Sequence, residues 1–320
     1  MYDVTALGEL LIDFTNNGLS ENNNILFEAN PGGAPCNVLA MLSKLGRKTA
    51  FIGKVGDDIL GNILKKSIEE CGIDSTYLLL DKNSSTTQAF ILTSETGERS
   101  FSFMRNDSAD TQLNKNEVNP EVIRSSKVFH FGTLSLTHDC AREATETAIE
   151  IAEKEGCVIS FDPNLRKNLW NDLADAKKAI EWGLSHANVV KIADDELDFV
   201  FGTSDAHKGY EIIKEKYPNI RMLFVTGGKN GSYGFCEGVS AYMEAFTDLD
   251  TIDTTGAGDT FMGCVLDYVI DNGLSADEKQ MKSLLTFANA AAGLVTTKKG
   301  ALRSMPEKCA VINLVRTACE

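Results

Sequence analysis

Between residues 127 and 226 the chain alternates short runs of β-branched, aliphatic and aromatic residues with longer stretches of helical apolar spacing. The runs at 128–131, 158–161, 189–192 and 222–225 have strand length, and 141–155 has helix length with small or apolar residues along one face. A strand followed by a helix must return over the sheet before it pairs again, so neighbouring strands come out parallel. The pattern predicts an α/β fold with a doubly wound, mostly parallel sheet and helices on both faces. Ligands of such sheets bind beyond the carboxyl ends of the strands. Two stretches fall there, 130–135 and 162–170.

Toward the N-terminus the rhythm starts earlier and is then broken. Runs at 4–11 and 49–55 read as strands, and helices follow over 38–45 and 59–71, stopped by Gly46 and Gly72. Asp13, just past the first apolar run, is expected at a sheet edge. Residues 16–24 are polar and asparagine-rich, which predicts a loop or hairpin. The runs at 86–93 and 99–104, joined by Glu95-Thr96-Gly97-Glu98, read as an antiparallel pair outside the main rhythm. No repeat or linker divides the 320 residues, which fit one large α/β unit, residues 1–320.

The most chemically specific stretch is Asp253-Thr254-Thr255-Gly256-Ala257-Gly258-Asp259-Thr260-Phe261-Met262-Gly263. A polar glycine turn runs straight into helical spacing at Phe261, Cys264, Val265, Tyr268 and Val269, with Gly273 as the stop. The amides of Gly256, Ala257 and Gly258 are expected to lack intrahelical partners and to carry the helix dipole behind them. Such a terminus binds anions, phosphate above all. Asp259 is an anion beside that site. It is either a dipole partner or a general base taking the proton of a hydroxyl that attacks the phosphate. With an ordinary aspartate pKa of about 3.9 it is ionised at neutral pH without special tuning.

Charge and cysteine usage narrow the partners. A net charge of −15 argues against nucleic acid and against an anionic membrane surface. The eight cysteines form no CxxC pair, and the N-terminus has no basic, signal-like stretch, so a reducing cytoplasm is expected. The four histidines show no metal-ligand spacing. The stretch Thr226-Gly227-Gly228-Lys229-Asn230-Gly231 is glycine-rich but lacks P-loop spacing.

The string 253–263 resembles the C-terminal signature of the ribokinase-type (PfkB) carbohydrate kinases. Residues 32–46 with Val55-Gly56-Asp57-Asp58 are similar to that family's N-terminal signature, and 105–110 and 162–170 resemble strings of its fructokinase branch. The resemblance implies an ATP-dependent sugar kinase of ribokinase-like fold, with a small β lid formed near 12–30 and 86–106 and a homodimer through that lid. It implies Asp259 as base, Gly256, Ala257 and Gly258 as anion hole, and Arg166 on the transferring phosphate. It places Asp13, Gly32, Gly33, Asn37 and Arg105 on the sugar. Lys191, Thr226, Gly228, Gly231, Gly258 and Asn289 fall to the nucleotide. Glu196 would order water around Mg²⁺, although Ala193 stands where the family has Asn. Asp253 and the Thr255 carbonyl would hold a monovalent cation such as K⁺. Fructose is the expected acceptor. Another small sugar or sugar acid (ribose, 2-keto-3-deoxygluconate, a nucleoside) and a non-catalytic sugar-binding regulator are the alternatives.

Overall fold

A computed structural model describes residues 1–93 and 99–318. The expected turn at 95–98 therefore lies outside the described residues. The strands are β1 (Tyr2–Leu7), β2 (Leu11–Leu19), β3 (Ile25–Gly32), β4 (Thr49–Gly56), β5 (Ile73–Asp74), β6 (Leu78–Asp81), β7 (Gln88–Thr93), β8 (Arg99–Met104), β9 (Ser126–Gly132), β10 (Val158–Asp162), β11 (Val189–Ala193), β12 (Met222–Thr226), β13 (Ser232–Cys236) and β14 (Val239–Met243). The helices are α1 (Ala34–Lys44), α2 (Ile59–Glu70), α3 (Pro120–Arg124), α4 (Asp139–Lys154), α5 (Leu173–His186), α6 (Asp194–Phe201), α7 (Ala206–Lys216), α8 (Ala257–Asn272), α9 (Glu278–Val295) and α10 (Lys308–Ala318).

The large sheet runs β14-β13-β12-β11-β10-β9-β1-β4-β5, with β6 also on β4. Every pair from β12 across to β5 is parallel; only β12–β13 and β13–β14 are antiparallel. Alternate residues of a strand point to opposite faces, and β1 obeys this. Val4 and Ala6 join the core under α1, α2, α8 and α9, whereas Leu7 joins the core under α3 to α7. β1 lies between β4 and β9, where the strand order reverses. That switch point is where a doubly wound sheet opens a crevice.

Two expectations need correction. The apolar run 4–11 is not one strand: β1 ends at Leu7, the chain bends through Gly8–Leu10, and β2 starts at Leu11 in a second sheet. β1 ends buried and β2 begins buried, so the run stays apolar across the change of sheet and periodicity cannot mark it. Asp13 consequently sits inside β2, not past the end of β1. Residues 16–19 are likewise strand, because β2 continues into a solvent-facing part of the small sheet where Asn is tolerated. The hairpin half of the expectation holds, since β2 and β3 pair antiparallel; the turn itself is confined to Ser20–Asn24, closed by the Ser20 amide donating to the Asn24 carbonyl at 2.8 Å.

The small sheet has the order β3-β2-β7-β8. It contributes Leu11, Asp13, Ile91 and Phe103 to the wall of a cavity at the crevice. The βα rhythm does not produce a sheet standing across the strand ends.

Candidate active site

The glycine turn is built as a rigid platform for the start of α8. Gly256 caps the helix at φ 81, a left-handed conformation that disfavours side chains. A Cβ there would meet Ala301 Cβ at 2.5 Å. Asp253 ties the turn down: its Oδ1 accepts from the Thr255 amide at 3.0 Å and from the Thr255 hydroxyl at 2.7 Å, and its Oδ2 accepts from the Gly300 amide at 3.1 Å. Residues 298–301 therefore brace the turn. The expectation of three free amides is corrected to two, because the Ala257 amide donates to the Thr254 carbonyl at 3.3 Å. The Gly256 and Gly258 amides make no hydrogen bond among the described residues.

Two cavities, each of about 550 Å³, meet at this terminus. Thr254, Ala257 and Gly258 line both. The first holds Glu9, Asp13, Gly33, Asn37, Arg166, Lys191 and Asp259. The second is less polar and holds Thr226, Gly228, Gly231, Phe246, Asn289 and Thr296. Two pockets sharing an anion-binding helix start suit two reactants that exchange an anionic group between them.

Asp259 is buried in the first turn of α8, and Asn37 Nδ2 donates to its Oδ2 at 2.7 Å. Burial, with the Asp162 charge added, pushes its pKa up to about 6 against the pull of Asn37, Lys191 and Arg166. The ordinary pKa assumed from sequence is thus corrected: the site tunes this group toward neutrality, as suits a base. Asp13 is raised to about 7 by burial, opposed by Arg166, and Glu9 to about 7 by burial.

The cations divide their work. Arg166 is exposed, lines the first cavity, and has no ion pair to a carboxylate among the described residues. It arrives there because Asn164 turns the chain at φ 43 while Asp162 Oδ1 accepts the Asn164 amide at 3.2 Å. Asp162 pairs instead with Lys191, 2.9 Å from Oδ2. Burial disfavours the Lys191 charge, but Asp162 and Glu196 outweigh it and the pKa is raised. A Cβ on Gly258 would lie 2.9 Å from Lys191 Nζ, so the ammonium stands against the anion site.

Several expected residues do other work. Arg105 lines neither cavity; Nε donates to Asp110 at 2.8 Å, Nη1 to Thr137 at 2.7 Å and Nη2 to the Leu134 carbonyl at 2.9 Å. Its charge is spent inside the wall behind Glu9. Glu196 also lines neither cavity, since Oε1 accepts the Leu165 amide at 2.7 Å and Oε2 the Ala193 amide at 2.8 Å. It braces the Arg166 loop. Gly32 keeps space for Asp13, whose Oδ2 would lie 2.8 Å from a Cβ there. Asn289 faces the second cavity, with its amide held by Ser232 and by the Met243 and Glu244 carbonyls. Among the described residues no cluster of three or more His, Cys, Asp or Glu could hold a metal ion.

Sequence reasoning missed Glu9, Lys167 and Asn168 on the cavity wall and the tie between Asp162 and Lys191. Glu9 carried a signal, a lone carboxylate inside an apolar run.

Fold and site together are those of a small-molecule kinase, with two cavities meeting at the start of one helix. Residues 1–308 match the model of the pfkB family of carbohydrate kinases, and the chain belongs to that family. A probable fructokinase-2 of Arabidopsis thaliana is 38% identical over 322 residues, 99% of this chain and 97% of its own. A Xylella fastidiosa fructokinase with bound ATP superposes with a TM-score of 0.88 at 27% identity, covering 100% of both chains. A double mutant of the Vibrio cholerae O395 fructokinase with fructose, ADP and potassium ion superposes with a TM-score of 0.85 at 28% identity, covering 98% of both.

Proposed function

We propose that this chain is an ATP-dependent fructokinase that moves the γ-phosphoryl group of ATP to the 6-hydroxyl of fructose. The observation that carries this reading is the meeting of the two cavities at Gly258, beside the buried Asp259. The plant and bacterial fructokinases among its relatives support fructose as acceptor.

Fructose lies in the cavity walled by Asp13, Gly33 and Asn37, with its hydroxyls donating to the Asp13 carboxylate. Asp259 takes the proton of the 6-hydroxyl. The new O–P bond forms as the bond to ADP breaks, and the departing charge stays on ADP. The transferring group spreads negative charge over its oxygens. The Gly256 and Gly258 amides, Arg166 and Lys191 are the donors that meet it. ATP fits the second cavity along Thr226, Gly228, Gly231 and Asn289. Mg²⁺ would be held by phosphate oxygens and water, since Glu196 is taken up by backbone amides; it supplies neutralising charge. A monovalent cation would sit against Asp253 and the Thr255 carbonyl, oxygen donors of the kind hard cations take, and would balance charge beneath the turn.

The small sheet serves as a lid that keeps water from the phosphoryl group. Its outer side chains Leu19, Ile25 and Met104 are more than half exposed, which suits pairing with a second copy. The seven described cysteines are free thiols, and no described helix is long and apolar enough to cross a membrane; the thiols suit the cytoplasm. ADP release measured against fructose, ribose, 2-keto-3-deoxygluconate and a nucleoside tests the reading. Turnover highest on any but fructose would displace it.

A further inference from the structure

The first turns of α1 and α8 meet at one hydrogen bond. Asn37 and Asp259 are both buried, and Nδ2 of the first donates to Oδ2 of the second at 2.7 Å. Asn37 is the only side chain bonded to the Asp259 carboxylate among the described residues. The other amide atom, Asn37 Oδ1, is buried with no partner. Turning the amide over would set Oδ1 against the carboxylate, two acceptors face to face.

This geometry is held from three sides. Glu9 Oε1 accepts the Ala34 amide at 2.8 Å and fixes the start of α1. The Asn37 amide donates to the Gly33 carbonyl at 2.9 Å, closing its first turn. Farther along, α1 and α8 cross so closely that a Cβ on Gly263 would lie 2.8 Å from Met41 Cβ and 3.1 Å from the Val38 carbonyl. Neither helix start can slide without breaking that contact.

We propose that Asn37 is a positioning residue for the base: its amide pins one Asp259 oxygen, keeps the carboxylate ionised, and leaves the other oxygen to meet the acceptor hydroxyl. The inference rests on the reading of Asp259 as base. Around that carboxylate stand Asp162 on β10, Lys191 on β11, Arg166 in the loop after β10, and Asn37 on α1. Only Asn37 touches it.

The test is kcat for fructose from about pH 5 to about pH 9 in the wild type and in Asn37→Ala, Asn37→Asp and Asp259→Asn. A hydrogen bond to an ionised group is worth enough that its loss moves the acid limb of Asn37→Ala up by about one pH unit or more. Well above the shifted limb, Asn37→Ala stays below the wild-type plateau, because the freed carboxylate is no longer aimed, but its loss there is smaller than at the acid end. Asn37→Asp sets two carboxylates at hydrogen-bond distance, which cannot both ionise, so its acid limb splits into two steps, one below and one above the wild-type limb. If Asn37→Ala does not fold, the isosteric Asn37→Asp decides by that split: a single unmoved step would end the proposal. A raised KM with an unmoved acid limb would make Asn37 a sugar contact alone and end the proposal. Wild-type turnover in Asp259→Asn would instead remove the base itself.

Discussion

Lys191 Nζ stands 2.9 Å and 3.0 Å from the two carboxylate oxygens of Asp162, and both side chains are buried. The pair joins β11 to β10 beside Gly258 at the start of α8. Breaking a buried pair costs about 3–5 kcal/mol because one charge is left without its partner. Asp162→Asn is therefore expected to lower the melting temperature and to cut kcat, since it frees Lys191 from its aim at Gly258. Thermal melts with steady-state kinetics check this. A variant with unchanged kcat and melting temperature would show that the pair does nothing for the site.

Asp259→Asn separates stability from activity. As a lost general base it is expected to reduce kcat by about two to four decades with little change in the sugar KM. Folding raises this carboxyl from its ordinary value to about 6, so the folded chain binds the extra proton between the two. Stability is full below about pH 4, falls as pH rises toward 6, and stays reduced at neutral pH by up to about 3 kcal/mol. The neutral Asn removes that penalty. The variant is expected to melt a few degrees higher than wild type near pH 8, with no advantage below about pH 4. Differential scanning calorimetry at both pH values decides; equal melting at pH 8 contradicts the tuning.

On the proposed reading Asp13 must be ionised to accept hydrogen bonds from the sugar and Asp259 to take its proton, and burial lifts them to about 7 and about 6. kcat/KM for the sugar should thus fall on the acid side with two apparent pKa values in this range, which belong to the coupled set. Asp13→Asn should raise the sugar KM and leave a single acid step. A profile flat down to pH 5 would rule out both assignments.

Leu19 and Ile25 sit opposite each other across β2 and β3 and are 60% and 52% exposed. If a second copy covers them, Ile25→Glu should convert a dimer to a monomer in sedimentation velocity, because a buried unpaired carboxylate is costly. Sedimentation of the wild type as a monomer at micromolar concentration would refute the lid contact.

What could be read from the sequence is what neighbours in the chain decide. The helix start at Gly256, its stop at Gly273, the α1 turn after Gly32-Gly33 and the parallel strands all follow from backbone freedom and apolar period over a few residues. The C-terminal string could be read as a helix start with a carboxylate in its first turn because its parts lie within one turn of each other. The split at Gly8 escaped notice because apolar periodicity reports burial, not which sheet a strand joins.

The tertiary structure decided the pairings. Asn37 meets Asp259 across 222 positions, and Lys191 meets Asp162 across 29. Arg105 turned inward to Asp110, and Glu196 spent its oxygens on amides. A charged side chain's role depends on which partner packing brings within about 3 Å, and on how much water that packing removes. Neither quantity is written in local order. The same removal of water set Asp259 near 6 rather than near its ordinary value, so the chain specified the carboxylate and the fold tuned it.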